Sequence, residues 1–432
     1  MSTVVSRPIP RARWTRVGVL LFLVYLFAYM DRTNISVAAI PMTKELGYSS
    51  VVMGVLLSSF FWGYVITQIP GGYVATRFRA KWVITVAMVI WAVFSGLTGA
   101  MHSLVALETV RFIMGLAEGV VWPSFMVLTS RWYPGAERAR AVNLFESTLP
   151  FSSVVMAPLA GWMIAQWNWH VMFYLQAIPP LVMAILTALL LFDDPAQDPY
   201  ISAEERDYLV ALRQQDEERE RAQGPRASVL SSFAIPQMWV LAIIYLLWIS
   251  GLYAFGLWLP TVVKEMTHHG ITAVGFISAI PFLVGLIVMY LNAWLSDRSG
   301  HRALYVIWPL IVGGAAFVIG RFIPLSDIVL NFIMLCIGCV GIYAPFGPWW
   351  SWGIEQVPHE HVGTMMGFIN FAGNFGGIVG PIAVSLVAVG GSLYTGFYIL
   401  GIAMMVGGFL AWLIKNSMKS TNPVMTPTAL GK

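Results

Sequence analysis

The sequence predicts an all-α membrane protein of twelve transmembrane helices, arranged as two pseudo-symmetric halves of six. Three observations predict it. Hydrophobic residues make up 58% of 432 positions and charged residues only 11%, under half the charged share of a globular chain, and a water-soluble core cannot use so much apolar surface. Apolar stretches long enough to cross a bilayer number twelve, six on each side of one polar segment. One short basic loop also occurs twice, as GYVATRFRAK from Gly72 to Lys81 and as AWLSDRSGHR from Ala293 to Arg302. A second pair of loops, WYPGAERARA around Pro134 and QVPHEHVGTMMG around Pro358, has nearly the same offset. Two repeated offsets imply two homologous halves, the construction on which alternating access about a central site is built.

In chain order the expected spans are Val17–Ile40, Val51–Val74, Trp82–Met101, Leu104–Leu128, Val142–Ile164 and Met172–Phe192, then Met238–Val262, Ile271–Leu295, Ala303–Ile319, Ile328–Trp352, Val362–Ala388 and Leu393–Ile414. The ninth is the shortest. The expected domains are therefore residues 1–192, a polar linker at 193–236, residues 237–418 and a tail at 419–432. The linker has a mixed-charge, helix-forming composition that no bilayer accepts, and it reads as a solvated amphipathic connector.

Positive charge sets the orientation, because cytoplasmic loops retain Lys and Arg. With the amino terminus inside, 20 of the 25 basic residues fall on one side, and Lys44, Lys264 and Arg321 fall outside. Both termini and the linker are expected in the cytoplasm. The net charge of +4 then reflects topology, and nothing suggests a nucleic-acid partner. The basic start followed by VGVLLFLVYLFAYM could pass for a secretory signal, but its removal would leave eleven spans and break the six-plus-six symmetry. Cys336 and Cys339 lie in an apolar span and read as ordinary buried thiols.

Four ionisable residues stand out inside spans of the first half: Asp31 and Arg32 in the first, Arg111 and Glu118 in the fourth. Each opposes insertion by roughly 2.5–3.5 kcal/mol at mid-membrane, so a site for anion and proton outweighs a mere helix-pinning role. Arg111 and Glu118 are two helical turns apart on one face. Counted inward from the outer ends, Asp31 and Arg32 lie about 13 Å deep, Arg111 about 10 Å and Glu118 about 20 Å. That depth pairs Asp31 with Arg111 and leaves Glu118, among Met114, Ala117 and Val120, as the less compensated carboxyl, suited to proton coupling. Gly115 and Gly119, spaced with Arg111 at every fourth residue, suggest close helix packing.

The second half carries neutral groups instead: Tyr245, Trp248, Ser250 and Tyr253 in the seventh span, Tyr343, Trp349 and Trp350 in the tenth, Asn370 and Asn374 in the eleventh. The asparagines share a face and should meet a cavity or another helix, since unpaired amides in lipid are costly. The stretch GNFGGIVGP, Gly373 to Pro381, marks where that helix bends or is closely approached.

These residues together resemble a known group. SDRSGHR is similar to the loop signature of the major facilitator superfamily, and YMDRTNIS, RFIMGLAEG, TSRWYPGAERARA and GNFGGIVGP together look like its anion:cation symporter family, whose members take up organic anions, largely sugar acids, with protons in bacteria. The resemblance implies the major facilitator fold, Asp31 and Glu118 as proton-responsive carboxyls, Arg32 and Arg111 as cationic partners of substrate or carboxyl, and Asn374 as a substrate contact. Asn370, Tyr253 and Trp350 join the expected substrate-binding set. Arg77, Lys81, Asp297, Arg298 and Arg302 in the doubled loop are expected to gate the cytoplasmic side. Thr76, Arg79, Ala293 and His301 depart from the family loop, and Thr76 removes the acid of its first copy.

The expected function is proton-coupled uptake of a small organic anion by a monomer in the bacterial inner membrane, with anion, protons and lipid as its partners. A drug-proton antiporter is the nearest rival, but its Gly-Pro signature is reduced to SSVVMAPLAGWM in the fifth span. A membrane-embedded enzyme or sensor is opposed by the absence of any H-E-x-x-H, Gly-x-Ser-x-Gly or phosphate-loop string. No cofactor is expected, and the loop histidines lack acidic or Cys partners at metal-ligand spacing.

Overall fold

A computed structural model describes residues 11–222 and 228–415. Arg7, Arg226 and the tail 419–432, to which the sequence assigns a cytoplasmic position, lie outside the described residues. A helical turn at Arg13–Gly18 leads into the first span. The first six spans are α1 (Val19–Leu46), α2 (Ser50–Arg77), α3 (Ala80–Thr98), the pair α4 (Leu104–Glu118) and α5 (Val121–Trp132), the pair α6 (Gly135–Glu146) and α7 (Thr148–Gln166), and the pair α8 (Trp169–Gln176) and α9 (Ile178–Leu190). The linker holds α10 (Ala203–Ala222) and α11 (Val229–Ser232). The last six spans are α12 (Pro236–Thr267), α13 (Ile271–Ser299), α14 (Leu304–Gly320), and the pairs α15 (Ile328–Tyr343) with α16 (Phe346–Glu355), α17 (Val362–Asn374) with α18 (Gly376–Val387), and α19 (Leu393–Gly396) with α20 (Tyr398–Ile414).

Among the described residues ten helical stretches are long and apolar enough to cross a bilayer. The shorter α14 and the broken pair α4/α5 complete the twelve-helix fold. Large apolar side chains such as Ile66, Ile185, Ile287 and Phe409 are exposed, as a surface facing lipid requires. Cys336 and Cys339 are free, the first half-buried and the second buried.

The fourth span, expected to be continuous, is broken. Its helix ends at Glu118 and restarts at Val121, and Thr67 Oγ1 donates to the Leu116 carbonyl near the break at 2.9 Å. A carbonyl released inside the membrane needs such a donor. The eleventh span breaks just after Asn374.

The chain divides into two compact units, 1–224 with 256–280, and 225–255 with 281–432. Residues 256–280 group with the first because glycines let backbones touch: a Cβ on Gly275 would overlap the Ala157 carbonyl, and one on Gly161 would crowd Ile271 and Thr272.

The linker's first part is not the solvated connector the composition suggests. Glu205 and Asp198 are fully buried, with Ile201 and Leu209 beside them. Glu205 accepts from the backbone N–H of Ala12 and Arg13 at 3.0 and 3.1 Å and pairs with the Arg13 guanidinium at 2.9 Å. Arg13 also pairs with Glu137 at 2.8 Å, Arg16 with Asp198 at 2.7 Å and Arg138 with Asp216 at 3.1 Å. Composition marked these charges as polar but could not show that they meet complementary charges at the end of the first bundle. Removing one partner of a buried pair costs about 3–5 kcal/mol. Glu205→Ala should therefore lower the unfolding temperature in detergent by several degrees, with Glu205→Gln intermediate. An unchanged melting curve for the alanine variant would show that the docking does not stabilise the protein.

Candidate functional site

Glycine places the aromatic residues of α2 against the charges of α4. A Cβ on Gly115 would overlap the Phe60 carbonyl, one on Gly119 the Tyr64 carbonyl, and one on Gly63 the Phe112 carbonyl, so α2 and α4 approach to backbone contact. The close packing expected from Gly115 and Gly119 is thus present. It brings Phe60 and Tyr64 over the two arginines. The Arg32 guanidinium lies 4.4 Å from the Tyr29 ring centre, 4.5 Å from Tyr64 and 5.3 Å from Phe60, and Arg111 lies 5.4 Å from the same Phe60 ring. Such cation–π contacts matter most where water is excluded.

The pairing differs from the depth-based expectation. Arg32 Nε donates to Glu118 Oε2 at 2.7 Å, with the two side chains 4% and 0% exposed. Asp31 does not pair with Arg111. Its Oδ1 accepts from Ser95 Oγ at 3.0 Å and from Asn34 Nδ2 at 3.3 Å, and Asn34 donates onward to Gln176 Oε1 at 2.7 Å. The physical reason is rotation about the helix axis. Adjacent residues differ by about 100° around a helix, so Asp31 faces Ser95 of α3 while Arg32 faces α2 and α4. Depth along the axis carries no such information.

Arg111 is consequently the unusual group. It is 1% exposed, and its polar contacts are the Asp31 backbone carbonyl at 3.5 Å and the Met114 sulfur at 3.9 Å. Its Nε has no hydrogen-bond partner and, among the described residues, no carboxylate forms an ion pair with it. A buried guanidinium without a counter-ion is costly unless an anion completes it.

A fifth ionisable residue, Glu146, escaped the sequence reading although it lies inside the expected fifth span. It ends α6 and is buried. Tyr25 and Tyr29, one turn apart, and Asn34 could also have been noticed from their helical spacing around Asp31 and Arg32.

In the second unit, Tyr253 Oη donates to Asn374 Oδ1 at 2.7 Å, and Asn374 Nδ2 donates to the Asn370 carbonyl at 2.9 Å. The Asn370 side chain is half-buried. Tyr245 stacks on Trp349 with centroids 5.4 Å apart and meets the half-buried Trp350 edge-on at 5.5 Å. Gly373 leaves room for the Tyr245 ring, and Gly376 and Gly380 admit the Ser250 backbone, so GNFGGIVGP is a point of close approach.

Of the expected gating residues, Arg77, Asp297 and Arg298 are exposed at helix ends, and Arg298 lies 4.0 Å from the Trp294 ring centre. Arg302 pairs with Glu355 of α16. The Lys81 backbone N–H donates to Asp193 at 3.0 Å, and its ammonium lies near the Trp82 and Phe192 rings.

Twelve membrane-crossing helices with ionisable groups buried among the first six define a polytopic solute transporter. The chain belongs to the Major Facilitator Superfamily, whose family profile matches residues 21–381. It is 30% identical over 426 residues, 96% of this chain and 92% of the relative, to an Agrobacterium vitis protein named "Putative tartrate transporter". It is 29% identical over 418 residues, 92% of each, to the "Probable galactarate/D-glucarate transporter GudP" of Escherichia coli strain K12. A solved D-xylose-proton symporter shares the fold, with a TM-score of 0.71 and 15% identity over 92% of this chain and 96% of that one. The protein is a multi-pass membrane transporter and not an enzyme.

Proposed function

We propose that the protein takes up a small organic anion, a sugar acid or related carboxylate, together with protons, by alternating access of its two six-helix halves. The observation that carries this reading is the buried Arg111 guanidinium, with which no carboxylate forms an ion pair among the described residues. An anionic head group would complete it through a forked pair of charge-assisted hydrogen bonds. Beside it, Glu118 neutralises Arg32 in a fully buried ion pair. Protonation of Glu118 would release Arg32 as a second anion contact, so that proton and anion favour each other's binding. Asp31, held by Ser95 and Asn34, is the second proton-responsive carboxyl. The names of the tartrate and galactarate/D-glucarate relatives agree with an acidic, hydroxylated substrate. The protein would act as a monomer in the bacterial inner membrane with both termini in the cytoplasm, and the doubled loop, with Arg77, Lys81, Asp297, Arg298 and Arg302, would gate the cytoplasmic side.

The test is uptake by the purified protein in liposomes. Tartrate, galactarate, glucarate and gluconate would be offered with and without an inward proton gradient. Accumulation of at least one of them that collapses with a protonophore is expected. Uptake of cations or neutral sugars alone, or outward movement only, would overturn the proposal.

Asn374 and Tyr253 would read the body of the substrate, because amides and phenols distinguish hydroxyl patterns and a guanidinium does not. Losing one neutral hydrogen bond costs about 0.5–1.5 kcal/mol. Asn374→Ala and Tyr253→Phe should each change the preference among these anions by roughly twofold to tenfold, and the double variant should be non-additive because the two groups are bonded. An equal change for every anion would make the pair structural.

A further inference from the structure

A groove of about 650 Å³ opens on the second unit where α14 and α18 end and α20 begins. Its lining is graded by depth. Arg321, directly after α14, and Tyr398, the first residue of α20, stand at the membrane boundary, while Val318 and Ile402 lie about one turn deeper on the same two helices. The backbone of Gly390 and Gly391, in the turn after α18, lines it as well. Among the described lining residues Arg321 alone is charged. It is exposed, and neither its guanidinium nor the Tyr398 hydroxyl has a hydrogen-bond or ion-pair partner among the described residues. Phe322 beside it is 80% exposed, as suits an aromatic ring at a bilayer interface.

A small free anion would use the guanidinium and leave the apolar walls bare. A partner helix would use the walls and leave a lone cation against its apolar face. An arginine at a helix C-terminus also complements the helix dipole, but that contact involves neither Tyr398 nor the walls. A phospholipid matches the whole lining in order, with its phosphate at the boundary and an acyl chain one turn deeper. Arginine holds phosphate through paired, charge-assisted hydrogen bonds. We propose that this groove is a binding site for a phospholipid of the surrounding bilayer, with the phosphate on Arg321 and Tyr398 and an acyl chain between Val318 and Ile402. The site lies wholly within the second unit and is independent of the coupling scheme.

A ligand that binds the folded state raises its stability. Thermal unfolding of the purified, delipidated protein in detergent would be followed while dioleoyl phosphatidylglycerol is titrated in. The wild-type unfolding temperature is expected to rise. Dioleoylglycerol, which has the chains without the phosphate, and inorganic phosphate, which has no chains, should each produce little or no rise. Arg321→Ala should need a roughly tenfold higher lipid concentration for the same rise, and Arg321→Lys should be intermediate. Arg321→Gln serves as a second neutral variant should the alanine protein fail to fold. Replacing Val318 and Ile402 together by Asn should also weaken the lipid effect, through the other end of the groove. A wild type that gains no stability, or a neutral Arg321 variant that titrates like wild type, would overturn the site. An equal gain from inorganic phosphate would make it a free-anion site, and an equal gain from dioleoylglycerol an apolar groove without a phosphate contact; either would overturn the lipid assignment.

Discussion

Glu118→Gln is expected to leave substrate exchange intact while abolishing accumulation driven by the proton gradient. Glutamine preserves the shape of the side chain and an oxygen that can still accept the 2.7 Å hydrogen bond from Arg32 Nε, but it cannot ionise. It fixes the site in the state that protonated Glu118 would reach, with Arg32 no longer neutralised by a carboxylate. Anion binding should be retained or strengthened. Counterflow, which exchanges labelled for unlabelled anion without net proton movement, should proceed at a rate comparable to wild type. Uphill uptake should fall to the level set by the anion gradient alone. The pair of assays checks this in one preparation. A variant that still concentrates substrate, with the pH dependence of wild type, would reduce Glu118 to a packing residue and remove the coupling scheme.

Arg111→Ala is expected to remove both exchange and uptake. Each charge-assisted hydrogen bond to a carboxylate contributes about 1.5–3 kcal/mol, so losing a forked pair should weaken binding by at least about two orders of magnitude. Arg111→Lys keeps the charge without the fork and should be intermediate. Because Arg111 forms no ion pair among the described residues, its truncation strands no partner carboxylate, and the folded protein should be retained at near wild-type yield. Binding by alanine-substituted protein at wild-type affinity would place the anion elsewhere. The contrast with Arg32→Ala is informative, since that change leaves Glu118 buried and unpaired and should cost stability as well as transport.

Much of this architecture was legible in the chain. Long apolar stretches expose their number and order, and YMDRTNIS and RFIMGLAEG expose which helices carry charge. Gly115 and Gly119 announce a close helix contact by their spacing alone. The partners of those charges were not legible. Axial depth coupled Asp31 to Arg111, whereas rotation of α1 turns Asp31 toward Ser95 and presents Arg32 to Glu118. Glu146 was visible inside an expected span, but only the structure shows it buried. The linker illustrates the same limit, because Glu205 reads as one acid among many until Arg13 closes on it.

The sequence by itself determined the membrane class, the six-plus-six repeat and the positions of most of the charges buried within the spans. These follow from hydropathy and repetition, which are properties of the chain in one dimension and are enforced by the cost of placing polar groups in lipid. Only the tertiary structure decided which charges are paired and which are not: Glu118 on Arg32, and Arg111 in no ion pair among the described residues. Those outcomes depend on helix rotation and on how near the glycines allow α2 and α4 to come. At separations of a few ångströms in a low-dielectric interior, that geometry sets which charges cancel.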